Sequence, residues 1–418
     1  AKAMGHDGLI ITDFYDVDQN ADTYLPFNAS QITPVGPEIN QMASTFQGVN
    51  DPMRISPRKP TGAKATEDAL AEDLQIDAES LLNSPNLGQK VVNIVDQYVG
   101  LQRSKLDRGN QTPDQRFIDH VKSNLLHLYN AVSPEYRERA KQWYVGANKL
   151  SSEAATRFNL TLPQVSGVMA ALSPQKDWYI NYDLGVRTID VFINAQDQVF
   201  SPAMAKAMRQ MIKAQESVAQ RKLLRKRLEA VNGKKLSELT DGIEQAIFVR
   251  FYDQANNPER GHRVISPEGD LLDFQRKKDG TKSGIAWNGF RDIAKAISII
   301  QDGSRENISE QLGDMHKVRS FYNNILNPMS DRGDVTIDTH AVAAGMMKPL
   351  SGKALEVGHN FNTAGKSAIT GAKGTYGLYA DAYRQAAAEV GVLPREMQSI
   401  TWEAIRGLFS PQFKGQQS

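Results

Sequence analysis

The chain has 418 residues, 40% of them hydrophobic, and a formal net charge of +1. That length is enough for two or three units with real cores, and so even a charge points to no polyanionic partner unless the charges are segregated along the chain. The absence of Cys excludes disulfides, thiolate zinc sites, iron–sulfur clusters and Cys nucleophiles together. No apolar run approaches the ~20 residues of a membrane-spanning helix, so no membrane partner is expected. The first residue is Ala, from which a processed product or an excerpt of a longer polypeptide is expected.

The opening stretch, "GHDGLIITD" followed by "TYLPFNASQI", reads as two short strands joined by a polar Asp/Asn-rich connection. Two strands do not make a stable domain alone, so residues 1–33 are expected to be the tail of an upstream α+β domain. Residues 34–75, rich in Pro, Ser, Thr and charge ("ISPRKPTGAKATED"), read as a linker. From 76 onward the pattern is helical. "LGQKVVNIVDQYVGL", "TPDQRFIDHVKSNLLHLYNAV" and "SPEYRERAKQWYVGANKLS" each carry apolar residues at three- and four-residue spacing, and Thr112-Pro113 and Ser133-Pro134 are cap-plus-first-turn starts. Residues 168–192 read as an apolar helix, a Ser-Pro-Gln break and a second amphipathic helix.

Residues 203–236 read as one long polar helix, broken near Asn232-Gly233. It carries ten Lys/Arg, Arg221 and Arg225 among them, against Glu216 and Glu229. Such a run forms either a solvated face or a nucleic-acid-facing helix. "FVRFYDQ", "HRVISPEGDLLDF" and "RKKDGTKSG" within 247–284 read as short strands with Gly turns, part of an insertion over 200–284. Helices resume at "IAWNGFRDIAKAISIIQDG", with Trp287, Phe290, Ala294 and Ile297 on one face. The stretch 345–377 holds seven Gly and four Lys and reads as a loop. Its "GHNFNTAGKS" is no phosphate-binding P-loop, because six residues separate the Gly residues where that loop needs four.

"TIDTHAVAAG" places Asp338 between a β-rich Val335-Thr336-Ile337 and a run of small helix formers. Asp338 there can cap the following helix, or be an electrostatic catalytic group at a helix N-terminus; the residues alone leave both open. Together with "ALSPQKDW" and the Gly-containing turn of "LGDMHKVRSFYNNI", this segment resembles the helix-hairpin-helix DNA glycosylases of the endonuclease III-like superfamily, over roughly residues 115–410. The first 33 residues resemble the end of ADP-ribosyltransferase-like domains in multidomain phage and mobile-element proteins.

The glycosylase resemblance implies a mainly α-helical domain over 76–418 and a function at the N-glycosidic bond of a modified or damaged base in DNA, with or without lyase activity. Asp338 falls on the family's catalytic Asp and Lys317 on its hairpin Lys, the Schiff-base nucleophile of bifunctional members. Gln175 falls on a Gln at the DNA interface, with Trp178, Tyr179, Gly313, His316, Arg319 and His340 as further DNA-facing candidates; Arg221 and Arg225 would add backbone contacts. His316 and Arg319 are also candidate cations to lower the Lys317 pKa. Phe321, Tyr322 and Trp402 are at helical spacing and read as core, as do Trp178 and Tyr179 on their other reading. Met315 replaces the hairpin's second Gly, and Asp314 stands where an apolar residue is usual. No metal or cofactor is expected. The expected setting is the host-cell cytoplasm or the interior of a virion. A non-enzymatic DNA-binding or virion-internal protein retaining the fold is the alternative.

Overall fold

A computed structural model describes residues 8–16, 19–26 and 113–408, apart from 258–260, 278, 314, 349, 353 and 362–375. The expected linker, the helix expected at "LGQKVVNIVDQYVGL" and most of the Gly/Lys-rich loop lie outside the described residues.

Strands β1 (Gly8–Asp16) and β2 (Gln19–Pro26) pair antiparallel, with the register shifting between Ile11 and Phe14. The pairing runs through the polar stretch expected to be a connection, because Asp16 faces Gln19 directly.

The remainder is mainly helical: α1 (Pro113–Ala131), α2 (Pro134–Ala140), α3 (Trp143–Phe158), α4 (Leu162–Ala171), α5 (Trp178–Asn194), α6 (Pro202–Lys213), α7 (Val218–Val231), α8 (Gly242–Asn256), α9 (Phe290–Gln301), α10 (Arg305–Leu312), α11 (His316–Leu326), α12 (Thr339–Met346), α13 (Leu355–Phe361), α14 (Tyr376–Val390) and α15 (Pro394–Leu408). Local chemistry sets many of the starts. Ser133, Thr161, Asp177, Ser217, Asp241, Ser304 and Asp338 each turn a side-chain oxygen onto an otherwise unpaired N–H of the first turn, a bond worth about 1 kcal/mol.

Three sequence expectations are corrected here. "FVRFYDQ" lies within α8, not in a strand. Ala246, Ile247, Phe248, Val249 and Phe251 are all buried, and a segment buried on every side shows no distinguishing period. The basic run is two helices, α6 and α7, separated at residues 214–217, where Ser217 caps the second. Trp287 precedes α9, whose buried face is Ile293, Ala296, Ile297 and Ile300. The small β-element that does form, β3 (Arg263–Ile265) with β4 (Leu271–Phe274), is antiparallel.

Two hydrophobic cores organise the helices. The first is drawn from one contiguous stretch, Tyr144 to Ile325, with α4 at its centre. Val165 to Ala171 are all buried there, as expected of a helix apolar on every side, and α3, α9 and α11 pack around it. The second core combines α1 and Ala140 with Val335, Ile337 and helices α12 to α15. The chain therefore leaves the second core after α2 and returns to it after α11. Buried Arg395 ties the two crossings, donating to the Pro328 and Lys141 carbonyls. Asn148 adds bonds to the Ile325 and Leu326 carbonyls at 2.9 and 3.2 Å.

The β3–β4 turn is seated on α3 by a backbone-to-backbone approach. A Cβ on Gly146 would stand 2.3 Å from the Pro267 oxygen and 2.4 Å from the Gly269 nitrogen. Gly269 also has φ +80, where L side chains are strained.

Candidate active site

The site lies where the two crossings meet. From the first core, α10 and α11 form two short helices joined by a tight turn. Gly313 opens that turn at φ 59, ψ −145, a conformation left to glycine. Buried Arg319 closes it, donating to the carbonyls of Ser309 at 3.0 Å and Gly313 at 2.8 Å, and to Ser309 Oγ at 2.8 Å. His316 is buried and stacks on Tyr376, with ring centroids 5.4 Å apart. Both residues brace the hairpin from inside, which corrects the expectation that they face DNA.

Lys317, on the first turn of α11, reaches across to the Ser-Pro-Gln break. Its Nζ donates to the Ser173 carbonyl at 3.1 Å and Oγ at 3.0 Å, and lies 5.4 Å from the centre of the Phe321 ring. The break is itself held by Asn288, which donates to the Leu172 carbonyl at 3.1 Å. Gln175 sits at its exposed tip with φ 57. Burial pushes the Lys317 amine down to about 8, partly offset by the negative charge of Asp338. Desolvation, not the neighbouring cations His316 and Arg319, is thus what makes this amine easier to deprotonate.

Asp338 arrives from the second core. Val335-Thr336-Ile337 forms no strand, and side chains take the place of a partner strand. The Tyr376 hydroxyl donates to the Val335 carbonyl and accepts the Ile337 N–H, and Asn360 donates to the Ile337 carbonyl at 3.0 Å. Asn323 and Asn324 of α11 hold Asp334 and Thr336, each at 3.1 Å. At the end of this tether Asp338 Oδ1 accepts the Ala341 N–H at 2.8 Å, while Oδ2 lies 3.8 Å from His340 Nδ1. Burial pushes the carboxyl up, but His340, the Ala341 N–H and the Lys317 charge outweigh it, and Asp338 lies below the usual carboxylate range.

Desolvation is the largest influence on both groups, yet both keep access to water: the Asp338 side chain is 27% exposed and Lys317 is half-buried. The partly exposed corner that these two groups share is called the recess below.

Aromatic rings line it from two sides. From Lys317 the contacts run to Phe321 and then Trp178, with ring centroids 6.0 Å apart, and Trp178 meets Tyr182 at 5.9 Å. From Asp338 they run through His340 to Trp402 at 5.9 Å, to Trp143 at 5.8 Å and to Tyr179 at 6.2 Å. Trp143 Nε1 donates to Glu403 at 2.7 Å, which fixes the ring. All of these rings but buried Tyr182 are half-buried. Tyr322 is core, as expected, and Trp178, Tyr179 and Phe321 are partly buried against the first core, whereas Trp402 only borders the recess. Trp143 and Glu403 were not singled out in the sequence, because 260 positions separate them. The one signal was a Trp-Tyr pair opening a helix beside a polar Lys-Gln.

Structure thus brings together Asp338, Lys317, His340, Trp178, Tyr179, Gly313 and the Gln175 turn. Arg221 and Arg225 lie elsewhere, on α7, which packs on α6 and α8. Among the described residues no three His, Asp or Glu are grouped to hold a metal ion, and no helix is long and apolar enough to cross a membrane.

A family described as a family of unknown function, DUF7178, matches residues 109–227 and 275–409, together more than half of the chain. The matched stretches contain both halves of the recess and pass over residues 228–274, which include α8 and the β3–β4 hairpin. No curated protein and no solved structure matches the chain.

Proposed function

The chain belongs to the DUF7178 family, and we propose that its recess processes the N-glycosidic bond of a modified or damaged base in DNA. One observation carries this reading. Lys317 and Asp338 come from different cores, both are only partly buried, and each lies close enough for its charge to act on the other.

Breaking a glycosidic bond develops positive charge on the sugar, and an ionised carboxylate beside it lowers the barrier. Asp338 stays ionised across the neutral range and is held rigidly by its cap bond. An amine with a pKa of about 8 is partly neutral near neutral pH and can attack the anomeric carbon. The base then departs with the electron pair of the glycosidic bond and takes up a proton while the amine loses one; the nitrogen lone pair then breaks the C1′–O4′ bond, the ring oxygen leaves with that bond's electrons and takes up a proton from water, and an iminium remains. The half-buried rings suit a base removed from the stack, which needs new stacking partners. The proposed setting is a longer phage or mobile-element polypeptide acting in the host cytoplasm or the virion.

The test is a panel of duplexes carrying uracil and oxidised, alkylated or hypermodified bases. Base release is expected from at least one, lost in Asp338→Asn with DNA binding retained. Release from none, or an Asp338→Asn as active as wild type, would leave the non-enzymatic DNA-binding reading, in which Asp338 is a cap alone.

A further inference from the structure

We propose that α6 and α7 together form a phosphate-backbone anchor for nucleic acid, separate from the recess and independent of any chemistry there. The two helices are clasped into a hairpin at their base. The Phe200 N–H donates to the Lys234 carbonyl at 2.8 Å, the Gly233 N–H donates to the Phe200 carbonyl at 3.2 Å, and Val199 bridges Lys235. Met204, Ala205, Met208 and Ile212 of α6 and Leu228 and Val231 of α7 are buried, so the orientation of both helices is fixed. Lys206, Arg209 and Lys213 on α6 and Lys222, Arg225 and Lys226 on α7 are thereby all held exposed.

These six are not the residues a count of charges suggests. Arg227 is tied up with Asp241 at 3.0 Å and Glu244 at 3.1 Å. Arg221 caps the Gln215 and Glu216 carbonyls at 2.6 and 3.2 Å. Among the described residues, none of the six exposed cations is ion-paired. With ten Lys/Arg against two Glu over 203–236 and a whole-chain charge of only +1, the positive charge is segregated onto this hairpin. A segregated field steers and holds a polyanion.

An anionic membrane is the competing surface. Interfacial helices also sink an apolar face into lipid, but the apolar faces of α6 and α7 are already buried in the protein, leaving Val218 and Leu223 as the exposed large hydrophobics of the pair. The absence of exposed aromatics on α6 and α7 offers single-stranded bases nothing to stack on. Backbone phosphates of a duplex fit what remains.

The experiment titrates full-length protein with a lesion-free duplex between about 50 and 200 mM salt. Six phosphate contacts would give a log–log slope of about −5, and an affinity falling roughly 10³-fold over that range. Lys206→Gln/Arg209→Gln/Lys213→Gln and Lys222→Gln/Arg225→Gln/Lys226→Gln should each flatten the slope by about 2 to 3, with unchanged melting temperature because all six side chains are exposed. Arg225→Lys should keep the slope. Asp338→Asn should leave it untouched, so loss of base release and loss of anchoring are read separately. Slopes unaffected by both triple variants would overturn the proposal. So would binding to vesicles of phosphatidylserine and phosphatidylcholine in preference to the duplex.

Discussion

Lys317 Nζ donates to the Ser173 carbonyl at 3.1 Å, so the amine of α11 is held by a turn 144 positions earlier in the chain. This bond aims Lys317 and keeps it in the recess, and the low-dielectric setting sets its pH response. Because the folded-state pKa is about 8, the neutral fraction grows as pH rises through that value. Borohydride trapping of an enzyme–DNA adduct should therefore increase between about pH 7 and 9 and then level off. Lys317→Ala should abolish the adduct and slow base release, since its amine is the group that displaces the base. An adduct yield flat across that range would show that Lys317 is not the nucleophile.

Asp338 has two duties that substitution can separate. Asn keeps a side-chain oxygen for the Ala341 N–H and should leave thermal stability nearly unchanged. Ala removes the cap and should cost about 1 kcal/mol. Both remove the charge, so both should lose base release equally. Melting curves that fall together with activity, Asn included, would mark the charge itself as structural.

Gly146→Ala should dislodge the β3–β4 turn from α3. Nothing flexible stands in the way of the new Cβ, which meets the Pro267, Glu268 and Gly269 backbone, so the strain of overpacking, about 1–3 kcal/mol, should appear in a lowered denaturation midpoint. Hydrogen exchange should speed up over 263–274. Protection unchanged there would mean the approach can relax without cost.

His120 offers a pH test of the second core. Burial pushes its imidazole down to about 4, with Lys348 adding repulsion. Between about pH 6.5 and 4 the unfolded chain takes up the proton first, so stability must fall as pH drops through that window. His120→Gln should flatten the fall, measured by urea midpoints at a series of pH values. An unchanged slope would place the acid sensitivity elsewhere.

Local signals survived translation into structure, and non-local ones did not. Ser133, Asp338 and the Ser-Pro-Gln break were legible because a cap or a turn depends on residues within four positions. Lys317 and Asp338 were legible as candidates by resemblance, but their shared corner depends on Ser173, Tyr376 and Asn360 holding segments far apart in sequence. Arg319 and His316 looked like free cations because nothing nearby announces Ser309 as one partner or Tyr376 as the other. Val335-Thr336-Ile337 has strand composition without a strand, since a Tyr hydroxyl and an Asn amide supply the hydrogen bonds that composition would assign to a neighbouring strand.

The crossing pinned by Arg395 has a consequence for how the protein is made. The first core draws on residues 144–325 alone and can close while later residues are still being synthesised, since domains fold as units during translation. The second cannot. Its α1 emerges early, but Val335, Ile337 and α12 to α15 emerge only after the whole intervening stretch, so Val121, Leu125 and Leu128 stay wet until then. Pausing translation before α12 should leave a nascent chain with a finished half and a sticky one, and the sticky half is where a chaperone would bind.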